Sequence, residues 1–202
     1  INIEARVLGP SWTTADELKL FANGIEIRRE EIGVRNQKRG VIAIRKWKLD
    51  RPPHDIFLSA LASGPAVDHP SWPIAQPYQS RGASWSKRVV GFTGAVWIDA
   101  DGDGKVTTAH GYASRIVKDR EKLDAVVRKL ADFDAAVAAQ AASLLHVFGI
   151  DPGSKNSRGN WMNAAENVKR GFQNYLDAWE KCAASGATLP AARPASTACP
   201  DR

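Results

Sequence analysis

Histidine is scarce in this chain, and cysteine is scarcer. The 202 residues hold four histidines, His54, His69, His110 and His146. None stands in an H-x-H or H-E-x-x-H arrangement, so a catalytic zinc site has no visible ligands. The two cysteines, Cys182 and Cys199, lie near the C-terminus and outside any metal-ligand spacing. They are either a disulfide tying the tail to the last helix, which needs an oxidising compartment, or two unrelated thiols. No apolar run approaches the roughly 20 residues of a membrane span. No G-x-S-x-G elbow, P-loop or dinucleotide fingerprint occurs, so the enzyme classes that carry them have no support. There is no initiating Met and no signal peptide, and strand-like alternation begins at Ile1. The chain reads as a fragment whose upstream part is absent. One constellation stays open to chemistry, His54 and Asp55 with a distant Ser.

Charge excludes less. Lys and Arg number 28 against 22 Asp and Glu, a net charge of +6. The excess is shared between the two halves, so there is no basic tail. One segment is denser: Arg28 to Arg51 holds nine basic residues against Glu30, Glu31 and Asp50. It is either a patch for an anionic partner or the solvated face of a sheet, since Lys and Arg there alternate with Ile and Val. No aromatic-interleaved nucleic-acid motif accompanies it. Hydrophobic content of 44% and charged content of 25% are ordinary for a globular protein.

The residues Gly91 to His110 organise the rest. Val96-Trp97-Ile98 is an apolar run of the kind that fills a buried strand. Asp99, Asp101 and Asp103 follow at alternate positions, with Gly104 directly after. A curled loop turns alternate carboxylates inward, and Gly104 permits the backbone angle that the curl needs. The pattern matches the first half of a calcium loop. Asp99, Asp101 and Asp103 are the side-chain ligands, Lys105 supplies a backbone carbonyl, and Val106 is the apolar anchor. At the twelfth position, where a bidentate Glu is expected, stands His110. A calcium site here is structural and weak, completed by water or by a residue from elsewhere. The other reading is an Asp/Gly-rich turn with solvated carboxylates.

Two differently built halves meet there. Residues 1–107 read as a β domain. Strands are expected over 1–8, 18–22, 25–31, 41–49, 55–62 and 89–98, and Asn23-Gly24 predicts a type I′ hairpin. Ile25, Ile27 and Arg29 alternate together, so the register of that strand is not clean. Six or so short strands suggest an antiparallel immunoglobulin-like β-sandwich. Trp12, Trp47 and Trp97, each in or beside a strand, are expected in its core. Residues 64–87 interrupt the pattern with Pro65, Pro70, Pro73 and Pro77 around Trp72, Tyr78 and Trp85. A loop this long binds something or covers something. It is an aromatic platform for a sugar or a partner, or a loop pinned by its own Trp side chains.

From Thr107-Thr108 onward the period becomes helical. Leu123, Val126, Leu130, Phe133, Val137, Ala141, Leu144 and Phe148 recur at steps of three and four. They predict one helix, ended by Gly149 and Pro152. A polar loop is expected over 151–160. A second helix then opens near Asn160 or Asn163, where Asn163 and Glu166 form a capping-box pattern. Its seam is Met162, Ala165, Val168, Phe172, Tyr175, Trp179 and Cys182. Two such helices should pack as an antiparallel hairpin. Gly171, mid-helix, points to a close contact. The expected organisation is a β domain over 1–107, a helical extension over 108–185 and a loose tail over 186–202, an α+β chain.

The ordered set Pro10-Ser11-Trp12, Leu20-Phe21-Ala22-Asn23-Gly24, Asp55-Ile56-Phe57-Leu58, Ser63-Gly64-Pro65 and Gly91 to Lys105 resembles one family. It is similar to the C-terminal region of bacterial PHP-type (polymerase and histidinol phosphatase) metallohydrolases of the carbaryl-hydrolase-like kind. The resemblance covers most of residues 1–118. The Ala-rich segment from Asp134 to Leu145 also looks like the extension of some members. The family commonly has Asn-Pro where this chain has Gly94-Ala95. Its hydrolytic metals are held by His and Asp of an upstream barrel, and no position here matches those motifs. The resemblance therefore implies a non-catalytic accessory module, structural or positioning a substrate or partner, next to an upstream catalytic domain. It also implies a bacterial, exported protein, periplasmic or secreted. The rival expectation is a carbohydrate- or polymer-binding module using Trp72, Tyr78 and Trp85.

Overall fold

The computed structural model describes residues 1–33, 40–65, 88–118 and 122–184. Among these residues it mixes α and β structure: antiparallel sheets and five helices. The chain divides into two compact units, Ile1–Val106 and Thr107–Arg202. Among the described residues no helix is long and apolar enough to cross a membrane.

The described part of the first unit holds β1 (Asn2–Gly9), β2 (Glu17–Ala22), β3 (Ile25–Glu31), β4 (Gly40–Lys48), β5 (Ile56–Pro65), β6 (Arg88–Phe92) and β7 (Val96–Ile98). β1 and β4 pair antiparallel in a two-stranded sheet. The others form a five-stranded antiparallel sheet in the order β3-β2-β5-β6, with β7 also on β5. Val7, Ala43 and Trp47 from the first sheet meet Leu18, Leu20, Ile56 and Leu58 from the second in one buried cluster. Each of the Val, Leu and Ile side chains contributes on the order of 1.5–3 kcal/mol by leaving water.

The hairpin forms as its residues dictate. Asn23 and Gly24 both have positive φ, 48° and 80°, which a type I′ turn requires. The register between β2 and β3 shifts at Leu20/Phe21, where Arg28 faces Leu20 and Glu26 faces Phe21. Ile27 is the extra residue of this bulge. It puts Ile25 opposite Ala22 on the inner face and Arg29 opposite Lys19 on the outer one. That is why the alternation in β3 is broken in the sequence.

The single strand expected over 89–98 is two strands. β6 pairs with Leu61–Pro65 and β7 with Ile56–Leu58. Between them Thr93 N donates to Ala60 O at 3.0 Å, and Ala60 N donates to Thr93 Oγ1 at 3.0 Å. A side chain there takes the place of a backbone carbonyl, and the ladder ends. The tryptophan expectation fails at two of three positions. Trp47 is buried, but Trp12 is 60% and Trp97 45% exposed. Trp97 lies in a strand as expected, yet on the outward face, where it meets Phe57 with ring centroids 5.3 Å apart.

Basic side chains of these strands pair with acids of the same strand or of other strands. Arg29 pairs with Glu26 at 2.9 Å and with Glu17 at 3.2 Å. Arg45 pairs with Glu30 at 2.8 Å, and Lys46 with Glu4 at 3.3 Å. The hydrogen bond from Arg29 holds the Glu26 carboxyl below its ordinary range. Such pairs are those of a solvated sheet face; Arg35, Lys38 and Arg39 of the same basic segment lie outside the described residues.

The second unit opens with α1 (Ala109–Val117), capped by Thr108, whose Oγ1 accepts from Gly111 N at 3.1 Å. The single helix expected from 123 to 148 is broken into α2 (Leu123–Leu130) and α3 (Ala135–Val147). Asp134 caps α3, its carboxylate accepting from Val137 N at 2.9 Å. The last carbonyls before the break are met by Asn167, whose Nδ2 donates to Leu130 O at 3.3 Å, Ala131 O at 3.0 Å and Phe133 O. A side chain thus satisfies the acceptors that a continuous helix would have used. Most of the polar loop expected over 151–160 is taken up by α4 (Lys155–Trp161), capped by Ser154. α5 (Glu166–Ala184) starts three residues after Asn163. Its buried face is Val168, Gly171, Phe172 and Leu176, whereas Met162 and Trp179 of the expected seam are exposed.

The close contact expected at Gly171 is present. A Cβ built there would stand 2.5 Å from both Ala135 O and Ala138 Cβ, and 2.9 Å from Ala139 N. Gly171→Ala gains about 1 kcal/mol of helix propensity but must push α3 and α5 apart, which costs typically 1–3 kcal/mol. The expected net result is a loss of about 0–2 kcal/mol, read as a lower urea midpoint for the helical signal.

Tyr175 of α5 gives the helices a pH dependence. Its hydroxyl lies 2.7 Å from His146 Nδ1. Burial, and secondarily the negative charge of Asp151, raise its pKa above the ordinary 10.0. A phenol held protonated in the fold contributes stability that is complete below the unfolded pKa and lost as pH rises through the folded one. As pH rises above about 10 the protein should therefore lose stability, and Tyr175→Phe should lose less over the same interval, as denaturant unfolding would show.

Candidate metal centre

The site grows out of one strand pairing. Ile56 at the start of β5 lies opposite Ile98 at the end of β7. One step beyond each stands a carboxylate, Asp55 on one side and Asp99 on the other. The ladder thus delivers Asp55 to the start of the acidic loop. Its Oδ1 accepts from Ala100 N at 2.8 Å, across 45 residues of sequence. Asp55 is only 1% exposed.

The loop itself is a run of turns closed by its own carboxylates. Asp99 Oδ1 accepts from Gly102 N at 2.6 Å and Asp99 Oδ2 from Gly104 N at 2.9 Å. Asp101 accepts from Asp103 N at 3.2 Å, and Asp103 from Lys105 N at 2.7 Å. Asp side chains favour such turns because they reach the backbone two residues on. Gly102 and Gly104 have φ of 80° and 75°, which a residue with a Cβ adopts only under strain.

One carboxylate oxygen from each of Asp55, Asp99 and Asp101 lies within 4.8 Å of the others. Two negative charges at that distance repel by about 1 kcal/mol in bulk water and by about 3–4 kcal/mol at an effective dielectric near 20. Arg51 donates from Nε to Ala100 O at 3.1 Å, which brings one guanidinium to the backbone beside the cluster.

The spacing in the sequence singled out Asp99, Asp101, Asp103 and Lys105. The structure brings Asp99 and Asp101 together and adds Asp55. Asp103 and Lys105 share the loop but stand outside that group. Val106, expected as the apolar anchor, is exposed. Asp55 was legible beside His54 as a candidate for chemistry with a distant Ser, and nothing local pointed it at Asp99. His54 is buried, with Nδ1 2.9 Å from Asp55 O. Trp72, Tyr78 and Trp85 lie outside the described residues, as do Cys199 and the tail. Cys182 is half-buried on α5.

Oxygen-only donors of this kind suit a hard divalent cation. No family model, no curated protein and no solved structure matches this chain.

Proposed function

We propose that this chain is a non-catalytic accessory module of an exported bacterial PHP-type metal-dependent hydrolase, held in shape by calcium at its acidic loop. Its two sheets are the faces of an immunoglobulin-like sandwich, and α3 with α5 is the helical hairpin. The catalytic metals belong to an upstream domain of the same protein, and this module braces that domain or positions its substrate. The ordered residue set described above supports the family. The observation that carries the calcium reading is the buried Asp55 carboxylate grouped with Asp99 and Asp101. A cation there offsets a repulsion that the fold otherwise bears. Asp103 and the Lys105 carbonyl are the loop positions from which further ligands come.

The test is thermal unfolding of the purified chain in calcium, in magnesium and in chelator. A ligand that binds only the folded state stabilises it by about 2.7 kcal/mol at a hundred times its dissociation constant. Without a twelfth-position Glu, half-maximal stabilisation is expected at ~10⁻⁴–10⁻³ M calcium. Asp101→Ala should abolish most of the response. Asp55→Asn separates the two readings of the loop by sign. Its amide oxygen can still accept from Ala100 N. In chelator it should raise the melting temperature by removing one of three like charges. In millimolar calcium it should lower it by removing a ligand. A melting curve indifferent to calcium, with Asp55→Asn stabilising under both conditions, leaves a plain Asp/Gly turn. Metal-dependent hydrolysis by the chain alone, lost on changing His54 or His110, would overturn the non-catalytic reading.

A further inference from the structure

We draw no further inference here: the strongest candidate, the apolar cleft of about 600 Å³ between β1 and the β5, β6 and β7 side of the five-stranded sheet, is an unpartnered apolar surface, and nothing in the structure shows what covers it.

Discussion

Phe172→Ala is expected to destabilise the helical unit by about 3–5 kcal/mol, the range for emptying a large aromatic site in a packed core. Phe172 is fully buried, with 0% exposure. It sits on α5, one residue after the glycine at which α3 and α5 come closest, and its ring lies 5.4 Å from that of Trp161 on α4. α4 and α5 therefore lose a shared contact. The backbone around the site leaves little room to collapse, because the crossing at Gly171 already brings main chain within 3 Å of a would-be Cβ. The residual cavity should stay open, which places the cost toward the upper end. A domain of ordinary size has only about 5–15 kcal/mol in total, so the variant should lose most of its cooperative helical transition near 37 °C. Circular dichroism at 222 nm against urea reads this directly. A loss below about 1 kcal/mol would mean that α4 or α5 packs elsewhere.

What the sequence could and could not say follows from the range of each signal. Asn23-Gly24 is a local instruction, and the turn is where the dipeptide puts it. Thr108 and Gly149 are equally local, and they bound helices as expected. The break at Asp134 is different. Leu130, Phe133 and Val137 keep helical spacing straight through it, so periodicity alone reads one helix. The stop comes from the Asp134 cap and from Asn167, which is 34 residues or more away from the carbonyls it serves. α4 escaped because its seven residues, KNSRGNW, hold only Ser157 and Trp161 as buried positions. Val96-Trp97-Ile98 announced a strand but not a face, since three apolar residues in a row carry no alternation. The candidate site divides in the same way. Asp99 and Asp101 were legible from their spacing, while Asp55 joins them only through the pairing of β5 with β7.

Gly64→Ala should be the most damaging single substitution in the β unit, at about 3 kcal/mol or more, beyond the usual range for one added methyl. A Cβ at Gly64 would stand 1.9 Å from Thr14 O, 2.8 Å from Thr14 C and 2.9 Å from Ala15 Cα. All three are backbone atoms, so no rotamer change relieves the clash. The segment that is struck cannot retreat freely. Asp16 N donates to Ser63 O at 2.9 Å, and Ile32 N donates to Asp16 O at 2.7 Å. The entry to β2 is thereby tied both to β5 and to the residue that follows β3. Pushing Thr14 outward breaks these bonds and uncovers Ala15 and Leu18 of the core. Relief must come instead from bending β5, whose other edge carries β6 and β7. The strain would then travel along β5 to Asp55 and the acidic loop. Two readings of one variant check this: a large fall in the urea midpoint of the full chain, and weaker calcium stabilisation than in the parent. A Gly64→Ala protein that melts within 2 °C of the parent would show that residues 13–15 do not press on β5 as described.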